Sequence, residues 1–229
     1  MLTLSHVSKS YGKFPAVEDI SLEMEHGLYG MLAPNGAGKT TLIKMIATLL
    51  VPTQGEILWD GIPVAKLGEK YRDLLGYLPQ QFTLLRSATV FDNVRYAAWA
   101  HGIPVGDVDT AAERAIDMVG LSGESQRRAR SLSGGQRHRL ALACAVAHRP
   151  SILLLDEPMA GLDPLHRMRI RDGLQQIAAS ATVLFSTHVI DESVTHANHL
   201  LILSAGRLVF DGTPDRLSNA PGSVPTVTD

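Results

Sequence analysis

The 229-residue chain holds one cysteine, two tryptophans and few aromatics of any kind, 5% in all. A lone thiol excludes an intrachain disulfide framework and suits a reducing compartment. Lys and Arg number 21 against 23 Asp and Glu, for a formal net charge of −2. The basic excess of a nucleic-acid-binding surface is therefore missing, and no nucleic-acid partner is expected. Long apolar runs are absent too: the longest, Leu140 to Ala147, falls far short of the roughly 20 residues that cross a bilayer. Met1 to His6 has neither a basic nor an apolar leader pattern, so no secretory signal is expected. Any membrane role has to come through a partner. No internal repeat is visible, and low complexity is confined to residues 219–229, read as a flexible tail.

What is present starts with Ala33-Pro34-Asn35-Gly36-Ala37-Gly38-Lys39-Thr40-Thr41. Gly30-Met31-Leu32 before it suits a buried strand end, and Leu42, Ile43, Ile46, Leu49 and Leu50 recur at helical spacing up to Pro52. Strand, glycine-rich loop and helix together make a phosphate cradle, in which successive backbone N–H groups and the helix N-terminus face the phosphate oxygens of a nucleoside triphosphate. Lys39 would reach the β and γ phosphates, and the Thr40 hydroxyl would ligate Mg²⁺. Ala33 stands where the motif has glycine, which is tolerable if its φ is negative and strained if it is positive.

Ile152-Leu153-Leu154-Leu155-Asp156-Glu157 is a buried strand running into two adjacent carboxylates. Beside a phosphate loop, Asp156 would hold Mg²⁺ through water and Glu157 would orient and polarise the attacking water. Leu132-Ser133-Gly134-Gly135-Gln136 opens a second helix with an N-cap serine, a second anion site of the helix-N-terminus type. Period-two alternation at Leu2, Leu4, Ile20, Leu22, Met24 and Gly55–Gly61 indicates a small antiparallel sheet near the N-terminus. From about Phe82 to His148 the spacing turns helical, and Ser151–Leu155 and Ala181–Phe185 then read as buried parallel strands, each leading into a helix.

These motifs, with Gly161-Leu162-Asp163 and Ser186-Thr187-His188 in the same order and spacing, resemble an ATP-binding cassette subunit of a membrane transporter from about Leu2 to Leu217. The resemblance implies an α/β fold: a P-loop NTPase core of RecA type with a mostly parallel sheet, an N-terminal antiparallel β subdomain and an inserted α-helical subdomain. It divides residues 1–218 into a core (1–82 and 149–218) and a helical subdomain (83–148). It also implies ATP and Mg²⁺ as cofactors and a head-to-tail dimer in which Ser133, Gly134, Gly135 and Gln136 of one subunit close on the γ-phosphate held by Lys39 of the other.

Carried across residue by residue, the resemblance makes Tyr11 the aromatic that stacks on adenine. Asn35, Gly36, Ala37, Gly38, Lys39, Thr40 and Thr41 form the phosphate cradle. Gln80 becomes the glutamine that senses Mg²⁺ and the γ-phosphate, with Gln81 leaving the register open by one. Asp163 couples the two nucleotide sites, His188 contacts the γ-phosphate, and Glu157 marks a subunit that hydrolyses ATP.

Ala47–Leu50, Pro52–Gly55 and Gly76–Phe82 look like the stand-alone ATPases of bacterial multidrug and antibiotic exporters. Export through separate permease subunits is therefore expected, with the chain on the cytoplasmic face of the membrane. An importer subunit and a soluble non-transport cassette are the alternatives, and no C-terminal regulatory domain of the sugar-importer kind is expected. Arg127, Arg128, Arg130, Arg137, Arg139 and Arg149, with no acidic residue between Glu124 and Asp156, read either as a solvated face or as a field supporting the second anion site. Cys144 and Trp99 read as packing residues.

Overall fold

The computed structural model describes residues 1–188 and 197–218. The alternating apolar residues of β1 (Leu2–Tyr11) and β2 (Phe14–Met24) face one side and are buried, so the two strands pair antiparallel from Leu2↔Met24 to Tyr11↔Phe14. With β4 (Gln54–Trp59) and β5 (Ile62–Pro63) they form a four-stranded sheet in the order β2-β1-β4-β5. This is the small antiparallel sheet expected from the period-two pattern.

The second sheet has six strands in the order β10-β9-β3-β8-β7-β6, with β3 (Gly27–Leu32), β6 (Leu75–Leu78), β7 (Ile152–Leu155), β8 (Thr182–Thr187), β9 (His199–Ser204) and β10 (Arg207–Gly212). All its pairings are parallel except β9 with β10. The continuous apolar runs of β3 and β7 are buried throughout, as a sheet covered on both faces requires. Strand order places the carboxyl ends of β3, β8, β7 and β6 side by side: Leu32 pairs with Thr187, and Leu155 with both Phe185 and Leu78. Ligands of open α/β sheets bind at that edge.

Helix α1 (Lys39–Ile46) follows β3. It ends earlier than the spacing to Leu50 suggests, because Thr48 takes a left-handed φ of 59° and turns the chain out, leaving Leu49 and Val51 exposed. Two short helices, α2 (Val64–Leu67) and α3 (Glu69–Arg72), lead into β6. Between β6 and β7 lie three longer helices, α4 (Val90–Ala100), α5 (Val108–Met118) and α6 (Gly134–Val146). Their apolar faces join one buried cluster with Leu28, Leu78, Leu155 and Phe185 of the sheet. Helix α7 (Pro164–Ala178) connects β7 to β8, and α8 (Pro214–Ser218) follows β10. The helix expected after Phe185 and the tail at 219–229 lie outside the described residues.

Trp99 corrects the packing expectation: it is 56% exposed on α4, tilted against Tyr96 at 5.9 Å between ring centroids. Cys144 does pack against the helical cluster, and burial pushes its thiol up to about 12.

Candidate nucleotide site

The glycine-rich loop joins β3 to α1 at the carboxyl edge of the larger sheet. Gly36 and Gly38 have φ of 80° and 102°, and a β-carbon on Gly38 would lie 2.4 Å from the Ala16 carbonyl oxygen, so only glycine lets the loop pass β2 there. Ala33 is buried and is not among the residues with positive φ, so its methyl group costs no strain. Lys39 is 6% exposed, and its Nζ donates to the carbonyls of Ala33 at 2.6 Å and Pro34 at 3.1 Å. Burial lowers its pKa, against the opposing pull of Glu157 and Asp156. A cation held this way is preorganised for an incoming anion.

Two carboxylates stand beside it. The Thr40 hydroxyl donates to Asp156 Oδ2 at 2.7 Å, and the Ser186 hydroxyl donates to Asp156 Oδ1 at 2.6 Å. Asp156 is 1% exposed, so both oxygens of this buried carboxylate are satisfied by hydroxyls from neighbouring elements. Ser186 Oγ in turn accepts from the Glu157 backbone N–H at 3.0 Å. Glu157 has a φ of 56°, a sparsely populated backbone state for such a residue, and its Oε1 lies 3.0 Å from His188 Nδ1. Glu157, Ser186 and His188 line one cavity of about 150 Å³ together with Gly161.

Thr40 and Asp156 supply hard oxygen donors in mutual contact. Among the described residues no group of three or more His, Cys, Asp or Glu forms a closed metal cage. That donor set fits Mg²⁺, which is commonly held by one or two carboxylates plus substrate phosphates.

Gln80 sits two residues past the end of β6, exposed, beside a strand end tied to Asp156 by the bond from Asp156 N–H to Leu78 O at 2.9 Å. Gln81 lines a groove against α4 and α6. Tyr11 closes β1, 49% exposed, with Lys9 Nζ 5.8 Å from its ring centroid. Its exposed face is free to stack.

Ser133 is the N-cap of α6 in a capping box: its Oγ accepts from Gln136 N–H at 3.2 Å, and Gln136 Oε1 accepts from Ser133 N–H at 3.0 Å. Gly134 is open, and a β-carbon on Gly135 would lie 3.5 Å from Leu162. Asp163 caps α7 and accepts from His166, whose hydrogen bonds hold its carboxyl below the usual range. Among the described residues no hydrogen bond or ion pair joins the Ser133 turn to the Lys39 loop.

Three side chains of the arginine-rich stretch have backbone partners. Arg139 is buried and donates to the carbonyls of Val119 and Gly120, and Arg137 and Arg127 donate to Leu132 O and Ser131 O. These side chains satisfy backbone acceptors.

The profile of the family described as "ABC transporter" matches residues 17–160. The chain belongs to this family. Among curated relatives, the cassette is 36% identical to an Fe(3+) ions import ATP-binding protein, FbpC, of Rhizobium etli over 97% of its own length. It is 36% identical to a sulfate/thiosulfate import ATP-binding protein, CysA 2, of Rhizobium meliloti over 96%. A Nod factor export ATP-binding protein of Cupriavidus metallidurans is 33% identical over 95% of the chain. The cassette spans 64% and 62% of the two import proteins and 72% of the export protein. Among solved structures, the dimeric structure of MJ0796, described as a bacterial ABC transporter cassette, superimposes with a TM-score of 0.84 at 26% identity, covering 93% of this chain and 98% of that one.

Two residues in the site escaped the sequence reading. Ser186 was visible only as part of the Ser-Thr-His run; its bridge between Asp156 and Glu157 depends on the β7–β8 register, which no local pattern encodes. Burial lowers the pKa of His138 on α6, with the Pro158 backbone, next to Glu157, opposing, and its ring meets Phe82 edge-on at 5.5 Å. A histidine inside an arginine-rich helix carries no signal of that contact.

Proposed function

We propose that the cassette is the ATP-hydrolysing subunit of a transporter, working with separate permease subunits at the cytoplasmic face of a membrane and closing on ATP as a head-to-tail pair. The observation that carries this reading is the convergence of Lys39, Thr40, Asp156, Glu157 and His188 at one sheet edge. Lys39 and the loop N–H groups bind the phosphates, while Thr40 and Asp156 would hold Mg²⁺ with Gln80 at its margin. A Mg²⁺ held by these residues would neutralise phosphate charge. Glu157 orients and polarises water toward the γ-phosphate, and His188, in contact with the Glu157 carboxylate, fixes its direction. Tyr11 supplies the adenine face. Among the described residues no helix is long and apolar enough to cross a membrane. The core at 1–82 and 149–218 and the helical subdomain at 83–148 remain our division of the cassette.

The direction we propose is import. Export was the sequence expectation, but the two import relatives at 36% identity outrank the export relative at 33%. The motifs quoted for export lie in the cassette itself, whereas the permease sets direction. Co-reconstitution with the membrane protein encoded beside this reading frame, the cassette facing outward and ATP supplied there, tests both claims. Substrate moving from the vesicle lumen to the cassette side supports import. ATP-driven accumulation in the lumen overturns it, and the absence of any ATP-coupled movement overturns the transport reading.

A further inference from the structure

On the flank of the molecule, where α5, α7 and the turn between α6 and β7 meet, lies a cavity of about 280 Å³ that the nucleotide chemistry does not use. Arg114 and Arg149 both line it, and no acidic residue does. Neither guanidinium forms an ion pair among the described residues. Arg114 spends one donor on Ala147 O at 2.7 Å and keeps the rest of its fork, while Arg149 offers its whole fork from a backbone held at a φ of 55°. Burial lowers the Arg114 pKa, and Arg149 lowers it further, so each cation makes the other costlier in the absence of a counter-anion. Ser151, Gln176 and Ser180 add neutral polar groups to the rim. The floor is apolar, made by Met118, Val146 and Ile177.

We infer that this cavity binds a small phosphate monoester, its dianionic head between Arg114 and Arg149 and a short apolar body over Met118 and Ile177. Phosphate fits better than carboxylate because one bidentate guanidinium already neutralises the single charge of a carboxylate. A phosphate monoester brings a second charge for the second arginine and a third terminal oxygen for the serine and glutamine groups at the rim. The volume falls just under the roughly 300–1,000 Å³ range of ordinary ligand pockets, which favours a monophosphate over a dinucleotide. Bound there, the ligand would tie α5 and α7 to the turn that feeds β7, whose end carries Asp156.

Isothermal titration with phenyl phosphate, inorganic phosphate and benzoate tests this on the whole chain, with the glycine-rich loop filled by a non-hydrolysable ATP analogue. Phenyl phosphate should bind and benzoate should not. Arg149→Asn, which tolerates the left-handed backbone, should weaken phenyl phosphate by about tenfold or more, the scale of a lost charge-assisted hydrogen bond. Arg114→Gln, which keeps a donor for Ala147 O, should do the same, and both variants should retain the parent's affinity for the analogue and its melting temperature. Inorganic phosphate binding as tightly as phenyl phosphate would show that the apolar floor contributes nothing and overturn the monoester. Equal binding of benzoate, unchanged affinity in both variants, or no binding of any probe would overturn the site.

Discussion

Thr40 and Asp156, 116 residues apart in sequence, meet through a 2.7 Å hydrogen bond that joins the start of α1 to the end of β7. The same carboxylate takes a second hydroxyl from Ser186 at the end of β8. One buried aspartate therefore ties together the three elements that carry the glycine-rich loop, Glu157 and His188. Its two oxygens lock the relative register of the strands that deliver these groups.

Ser186→Ala should expose how much this lock contributes. The substitution leaves Asp156 Oδ1 and the Glu157 N–H without their partner in a site that is 1% exposed at Asp156. A destabilisation of about 1–3 kcal/mol is expected, the cost of buried groups left unpaired, measured by denaturant unfolding. Turnover should fall as well, because the strained φ of 56° at Glu157 loses the bond that holds it. A variant with parental stability and turnover would make the bridge incidental.

Glu157→Gln should retain ATP binding while turnover drops by roughly 10²-fold or more, the scale of a removed general base or water-positioning group. The glutamine keeps the size of the side chain and its contact with His188 but cannot accept a proton. Lys39→Ala separates the two functions, since it should weaken nucleotide binding itself. Steady-state ATPase assays and equilibrium nucleotide titration read the pair, and near-parental turnover in Glu157→Gln would remove the glutamate from the chemistry.

The glycine-rich loop, the Asp156-Glu157 strand end and the Ser133 cap were legible because each is local: a short pattern of residue types whose backbone requirement is fixed within one turn. Strands β3 and β7 were equally legible, as uninterrupted apolar runs. Contacts made across the sheet were not. Ser186 reaches Asp156 only because Leu155 pairs with Phe185, and His138 meets Phe82 only through the packing of α6 against the segment that follows β6. The early end of α1 was hidden for a related reason: Leu49 and Leu50 continue the helical spacing, while a single left-handed residue, Thr48, redirects the chain. Trp99 misled in the opposite sense, a large apolar side chain on the outer face of α4.

Acid should weaken the fold through His148. Its ring is nine-tenths buried and stacked on His101 at 3.9 Å with 6° between planes, and Nε2 lies 3.0 Å from Leu75 O. A carbonyl can only accept, so Nε2 carries the proton, and Nδ1 is buried without a partner. Burial first, and then the His101 ring, push the His148 pKa down to about 4, with Leu75 O and Asp73 opposing. Below the unfolded value of about 6.5 the unfolded chain binds a proton that the native chain refuses, so this stability is full above about 6.5 and is lost as pH falls toward about 4. The loss is at most about 3 kcal/mol, at 1.36 kcal/mol per unit. His101, also lowered by burial, adds to the same slope. Denaturant unfolding at pH 7 and 5 should show the drop, and His148→Gln, which keeps a donor for Leu75 O, should flatten it; an unchanged pH profile in that variant would acquit the histidine.

Assembly gives the last prediction, resting on an anion-ready turn at Ser133-Gly134-Gly135 that makes no bond to the Lys39 loop of its own chain. Among the described residues the structure offers no coiled coil, and the exposed large apolar residues are dispersed over several elements, so the chain without nucleotide should be largely monomeric. With Mg²⁺ and ATP, the Glu157→Gln form should become dimeric, because nucleotide bound by both partners and no longer hydrolysed favours association by linkage. Adding Ser133→Arg should abolish the dimer: the bulky side chain fills the place where a partner's γ-phosphate has to approach, and the capping box with Gln136 is lost. ATP binding to the monomer through Lys39 should survive. Light scattering on the single and double variants, with nucleotide titration alongside, separates the outcomes. A double variant that binds ATP and still dimerises would show that the Ser133 turn does not touch the partner's nucleotide, and the head-to-tail pair would be wrong even if the site at Lys39 and Glu157 is right.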